Sequence, residues 1–387
     1  MLPGCGNNGS QGTPSLPGAQ SARRATVTEK IVHSFEGAPK DGAYPQGGLF
    51  GVDGGIYATT ARGGTGSCDG GLGCGTLAVF SCCGYRVFHS FSGYDGAVPR
   101  GAFLFEPEPY GGTLFGTTEL GGTGNHGTVF RVYEHRSVRS VYSFGLTPDG
   151  RRPFGSLVGG KQDVYGTTVA GGAYGKGTVY EMNEQSDAEN VLHSFGKGSD
   201  GAAPLDALTY LNGEFYGTTS GGGSNGKGTI FEIDKSGSET LIHSFAGGSD
   251  GADPVASLID VNGALYGTTS AGGTSNQGVV FEITTSGHER ALHSFSGVSD
   301  GANPQGPLVE VNGTLYGTTC QGGAGSNGTF FRITRAGAET VLYSFGGTPD
   351  GSCPRGDLYP VAGAAIWGIT AEGGSSDLGA VFSISLQ

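Results

Sequence analysis

Leu265–Gly273 reads LYGTTSAGG, and close variants of this stretch return seven times, centred on Tyr57, Phe115, Tyr165, Tyr216, Tyr266, Tyr316 and Trp367. After each copy comes a VF-type segment such as GTIFEI, then a segment ending in Ser-Phe, then Asp-Gly and a proline. The Ser-Phe phenylalanines are Phe35, Phe91, Phe144, Phe195, Phe245, Phe295 and Phe345, spaced by 56, 53, 51, 50, 50 and 50 residues. A period near fifty built only of strand signals points to propeller blades rather than a helical solenoid.

The copy from Pro254 to Phe295 divides into four strands. VASLIDV leads into Asn262-Gly263, a strong hairpin signal, and ALYGTTS follows at once. VVFEIT and RALHSF are the third and fourth strands, joined by a turn at Ser286-Gly287. The connections through Gly272-Gly273 and Asp300-Gly301 are longer and share one face, so binding is expected on that face. The chain opens with a fourth strand lacking its first three and ends with a third strand lacking its fourth. The N-terminal strand is therefore expected to complete the last blade and leave no open edge. The expectation is an all-β, seven-bladed β-propeller with four antiparallel strands per blade. A flexible leader would span 1–24 and the propeller 25–387. The blades are placed near 45–91, 99–144, 153–195, 204–245, 254–295, 304–345, and 354–387 plus 25–35.

Composition agrees. The 79 glycines among 387 residues sit at fixed phases of the repeat, as turn residues of an ordered all-β protein do. A net charge of -13 repels phosphate backbones, so nucleic acid is excluded as a partner. No apolar run is long enough for a membrane span. The leader carries Leu2-Pro3-Gly4-Cys5, similar to the end of a bacterial lipoprotein signal, which makes Cys5 the lipidation candidate.

The G-x-LYGTT-x-x-GG and GTVF-x-I pattern resembles that of the GloVer tandem-repeat proteins, from about Ala25 to Gln387. The resemblance implies an exported or surface β-propeller of bacteria and carries no assigned activity. With no C-terminal anchor in this sequence, it puts attachment on Cys5.

Residues present in every blade read as structural. Asp41, Asp95, Asp149, Asp200, Asp250, Asp300 and Asp350 precede glycine, where the carboxylate caps a turn; spread around a wide circle, they do not make a calcium site. His33, His89, His193, His243 and His293 precede Ser-Phe, and Tyr142 and Tyr343 replace them in two blades. They read as buried aromatics with a polar tip. No metal and no cofactor are expected.

Departures from the repeat are where function is sought. The residue after the first-strand proline is apolar at Phe154, Leu205 and Val255 but polar at Gln305, Arg355, Gln46 and Arg100. The last four belong to contiguous blades once the ring closes. They form an arc at the axial mouth suited to a carboxylate or sugar-like ligand, with Arg62 on the neighbouring loop of blade 1. A lyase-like alternative assigns proton transfer to His126 and Glu119 beside Arg100. The bland reading is a set of solvated side chains at a wet channel mouth.

Blade 1 carries an insertion between Thr60 and Phe80, 20 residues against 12 elsewhere. It contains Cys68 and Cys74, followed by Cys82 and Cys83. The spacing fits no common zinc pattern, so a Cys68–Cys74 disulfide is expected, with Cys320–Cys353 as a second, interblade pair. Together these features suggest an exported or envelope-attached monomer binding a small molecule, saccharide or protein. The alternatives are an enzyme acting on an anionic saccharide and a structural surface protein.

Overall fold

The computed structural model describes residues 27–107, 112–133, 137–160, 162–361 and 365–386. Cys5 and the whole leader, 1–24, lie outside them. Seven antiparallel sheets form the ring, each with four strands in sequential order outward from the axis. Blade 5 is representative: Ile259–Val261, Ala264–Thr269, Val279–Thr284 and Glu289–Ser294.

The ring closes through its own chain ends. Thr28–Ser34 pairs antiparallel with Ala380–Ser385, Thr28 opposite Ser385 and Ser34 opposite Ala380, as the outermost strand of blade 7. That pairing satisfies an edge that would otherwise expose a row of unpaired backbone groups.

Local sequence explains the elements. Asn212, Asn262 and Asn312 adopt positive φ and are each followed by a positive-φ glycine, as a two-residue hairpin turn requires. In blades 1 to 6 the second Thr of the pair donates to a backbone carbonyl of the glycine loop. Thr269, for example, donates to the Ala271 carbonyl at 2.9 Å. The Ser-Phe phenylalanines are all buried, and all but Phe35 pack edge-on against the third-strand aromatic of the next blade. Phe245–Phe281 centroids are 5.5 Å apart and Phe195–Phe231 5.0 Å. The apolar core is accordingly a set of clusters that span the seams between blades.

Two expectations are corrected. The first strand is shorter than VASLIDV, since only Ile259–Val261 forms a ladder within its blade. The residues before it lie against the preceding blade, where Thr218 of blade 4 donates to the Ala256 carbonyl at 3.0 Å. The insertion in blade 1 is also shorter than the distance to Phe80 implied. Thr60 bonds Thr76, 16 residues on, whereas Thr118 bonds Thr128, 10 residues on, so six residues are inserted (16 − 10). In that register Ala78, and not Phe80, occupies the place of Phe130, opposite Ala58 instead of a glycine.

Candidate functional site

The innermost segments meet around the axis at a ring of small residues. A Cβ on Gly47 would come within 2.6 Å of the Arg100 and Gly101 carbonyl oxygens, and one on Gly101 within 2.7 Å of the Gly155 carbonyl oxygen. One on Gly306 would meet the Gly356 carbonyl oxygen at 2.7 Å, and one on Gly356 the Gly47 carbonyl oxygen at 2.6 Å. The neighbouring backbones are thus in direct contact, and glycine is needed for that approach.

Within this ring lies a cavity of about 170 Å³. Gln46, Arg100, Gln305 and Arg355 line one side, and Phe154, Leu205 and Val255 line the other. The polar arc and the apolar sector therefore face each other across one space. Gln305 is steadied by Nε2 donating to Asn303 Oδ1 at 3.3 Å.

The two arginines of the arc differ. Arg100 is committed: its Nε donates to Glu119 Oε2, and its guanidinium lies 4.6 Å from the centre of the Phe154 ring. Arg152 takes the other Glu119 oxygen, its Nε donating at 3.0 Å. Burial alone would raise the Glu119 carboxyl, but Arg100 and then Arg152 outweigh it and hold it below the usual range. Arg355 has no such partner. Its Nη2 reaches Cys353 Sγ at 3.0 Å, and its Nε is buried with no acceptor. Burial and then the positive charge of Arg100 make its charged form less favourable than usual.

Two carboxylates missed in the sequence complete the cavity wall. Asp206 stands in blade 4 where the other blades have Gly or Ala, and Asp357 stands one residue further along in blade 7. Asp206 is held by backbone N–H groups, Oδ1 accepting from Ala207 at 2.8 Å and Oδ2 from Ser257 of blade 5 at 2.9 Å. Burial nevertheless raises its carboxyl to about 6. Asp357 rises to about 7, through burial and then the charge of Asp206. The signal was available: the run of small residues after each first-strand proline breaks in blade 4, at Asp206.

Other candidate residues fall elsewhere. Arg62 does not line the cavity; its Nε pairs with Asp69 Oδ2 at 2.7 Å, on the same insertion that sets blade 1 apart. Glu119, with both oxygens taken by arginines, is not placed to accept a proton. His126 also lies outside the cavity lining, and its main-chain carbonyl accepts from the Arg152 N–H at 2.7 Å. Cys68 and Cys74 are bonded within the insertion, and Cys320 and Cys353 are bonded across blades 6 and 7. Cys82 and Cys83 are exposed thiols with sulfurs 3.8 Å apart.

The seams hold a second polar array. His193 Nε2 meets Asp200 Oδ2 at 3.1 Å, with Glu239 of the next blade close enough that the three could hold a cation. Equivalent seams place Tyr142 or Tyr343 where the histidine stands, with the phenol bonded to Asp149 or Asp350. The interchange of imidazole and phenol fits hydrogen bonding to the turn carboxylate better than metal ligation. The carboxylates also cap their turns, Asp250 Oδ2 accepting from the Ala246 N–H at 2.5 Å and Asp350 Oδ2 from the Gly346 N–H at 2.7 Å.

Fold and site together define a seven-bladed β-propeller with a polar cavity on its axis. The chain belongs to the Gloeobacter/Verrucomicrobia repeat family, which matches residues 19–223, 70–263 and 164–382. No curated protein matches it in sequence. Among solved structures, the extracellular domain of BT4673 from B. thetaiotaomicron is similar at TM-score 0.58 and 11% identity, over 94% of this chain and 40% of that one. An oligogalacturonate lyase in complex with manganese is similar at TM-score 0.54 and 10% identity, over 94% of this chain and 99% of that one. At these identities the likeness is one of fold. No helix among the described residues is long and apolar enough to cross a membrane.

Proposed function

We propose that this propeller is an exported, envelope-attached protein that binds a small ligand bearing a carboxylate, such as an acidic saccharide, in its axial cavity and does not transform it. The observation that carries the reading is Arg355, a guanidinium lining a cavity without a carboxylate partner and with a buried, unbonded Nε. Leaving such a donor unmet is costly, and a carboxylate is the group that matches its planar fork. Gln46 and Gln305 add amide donors and acceptors on the same side, while Phe154, Leu205 and Val255 offer an apolar wall. The two disulfides fit an oxidising compartment.

A lyase acting on an anionic saccharide is the less favoured reading. Glu119 and His126, the residues it assigns to proton transfer, do not line the cavity, so it would have to use Asp206 or Asp357 instead. The similarity of fold to an oligogalacturonate lyase adds no chemistry, since function resides in the site.

The test is a thermal-shift and calorimetric screen of uronic acids, short carboxylates and neutral sugars against the wild type, Arg355→Gln and Arg62→Ala. The reading expects acids to bind, Arg355→Gln to weaken them about 10- to 100-fold, and Arg62→Ala to leave them unchanged. Binding of acids that survives Arg355→Gln, or turnover of the bound acid, would contradict it.

A further inference from the structure

We propose that the ligand of the axial cavity is a zwitterion, an amino-acid-like molecule whose carboxylate meets Arg355 and whose ammonium group sits between Asp357 and Asp206. This deepens the carboxylate reading above and rests on it.

The argument begins with the placement of charge. Arg355 and Asp357 lie two residues apart on the innermost strand of blade 7, Gly351–Val361, and both line the cavity. Neither is in a side-chain ion pair among the described residues; Arg100, which also lines the cavity, is paired with Glu119. Asp206 comes from blade 4, three blades away in a ring of seven, so the two aspartates approach from opposite walls. Asp206 has its two oxygens turned to backbone N–H groups, whereas Asp357 rests against Gly48 of blade 1, where a Cβ on that glycine would strike its carboxyl carbon at 2.6 Å. The close approach that glycine permits at position 48 is what lets Asp357 occupy the channel wall.

Charge balance then selects the ligand. Glu119 is shared by Arg100 and Arg152, and beyond that cluster the cavity wall carries one guanidinium, Arg355, against two carboxyl groups, Asp206 and Asp357. A plain carboxylate entering to satisfy Arg355 brings a third negative group into a confined space, where like charges repel strongly. A molecule with both a carboxylate and an ammonium group satisfies Arg355 and the aspartate pair together and adds no net charge. The shared wall position of Asp206 and Asp357 supports this, since burial and then the charge of Asp206 raise Asp357 to about 7. Such a pair gains by sharing a proton or by accepting a cationic donor. A bare calcium or magnesium ion is the poorer fit, since it needs six or more oxygen ligands and the cavity wall offers two carboxyl groups.

The discriminating experiment is calorimetry at pH 7.5 with two matched series, glycine to 5-aminopentanoate and acetate to pentanoate. At one chain length the amino acid should bind at least tenfold more tightly than its plain partner. Asp357→Asn should abolish that advantage by weakening the amino acids, with plain acids binding at least as tightly as before, and Arg355→Gln should weaken both series. Asp206→Asn, which keeps one oxygen for the backbone amides, serves as a second variant, and melting curves show that each variant folds. Plain acids binding as well as amino acids at every length would overturn the zwitterion and leave the carboxylate reading standing, as would an advantage that survives both aspartate variants. Binding of neither series would overturn both.

Discussion

Tyr142 of blade 2 and Glu189 of blade 3 meet across a seam: the phenol oxygen lies 3.3 Å from Glu189 Oε2 and 3.0 Å from Asp149 Oδ2, to which it donates. Glu29, Glu239, Glu289 and Glu339 occupy the same place at other seams, each beside the turn aspartate of the preceding blade, and each leaves Oε1 buried without a partner. Burial and then the neighbouring aspartate raise Glu29, Glu189, Glu289 and Glu339 to about 7, and Glu239 is raised for the same reasons.

A pH dependence of stability follows. A carboxyl group raised in the folded state binds its proton more tightly there, so its favourable contribution is complete below its unfolded value of 4.5 and is lost as pH rises through 7. Three turn aspartates, Asp41, Asp95 and Asp300, act in the opposite sense. Burial would raise Asp95, but hydrogen bonds from His89 and Ser92 hold it down to about 2, so its contribution is lost only in strong acid. Melting temperature is therefore expected to be higher at pH 5.5 than at pH 8, with Glu289→Gln reducing the difference. A melting temperature that is flat or rising over that interval would contradict the assignment.

The seam phenylalanines carry the core. Phe245 is fully buried against Phe281 of the next blade. Phe245→Ala should cost about 3–5 kcal/mol, as deletion of a large buried ring does. Chemical denaturation would measure it, and a loss below about 1 kcal/mol would mean that the seam is not where packing energy resides.

At the axis the limiting factor is space. Gly47→Val puts side-chain atoms against the Arg100 and Gly101 carbonyls, which belong to backbone and cannot swing aside. It should lower stability by about 1–3 kcal/mol and weaken carboxylate binding through displacement of Arg100. The same change at Gly54, whose Cβ would meet nothing within 4 Å, should leave binding intact and cost stability only through its positive φ.

Cys320–Cys353 ties blade 6 to blade 7 beside the binding arginine. Its loop of 33 residues corresponds to about 3–4 kcal/mol of loop-closure entropy. Cys320→Ala with Cys353→Ala should lower the unfolding free energy accordingly and reduce affinity for carboxylates. Cys68→Ala with Cys74→Ala, confined to the blade 1 insertion, should leave affinity unchanged.

Much of the fold was legible because the repeat registers itself: seven Ser-Phe segments count the blades, and the orphan strand at each chain end declares the closure seen between Thr28–Ser34 and Ala380–Ser385. The polar arc was legible for the same reason, since four polar residues at one repeat position stand out against the three apolar ones of the other blades. Three things were not. The pairing of Glu119 with Arg100 and Arg152 depends on how a loop and two strands converge, which periodicity does not record. Arg62 has its own carboxylate on an insertion with no counterpart in other blades. Asp206 and Asp357 sit one step apart in the repeat, on blades three apart, and only closure of the ring brings them to one cavity.

The most direct test of the central claim is a crystal of the wild-type protein soaked with 4-bromobenzoate, located by the anomalous signal of its bromine. The account predicts the ligand in the axial cavity, with its carboxylate within hydrogen-bond distance of Arg355 and its ring toward Phe154, Leu205 and Val255. Bromine found only on the outer surface, with the cavity free of it, would contradict the account.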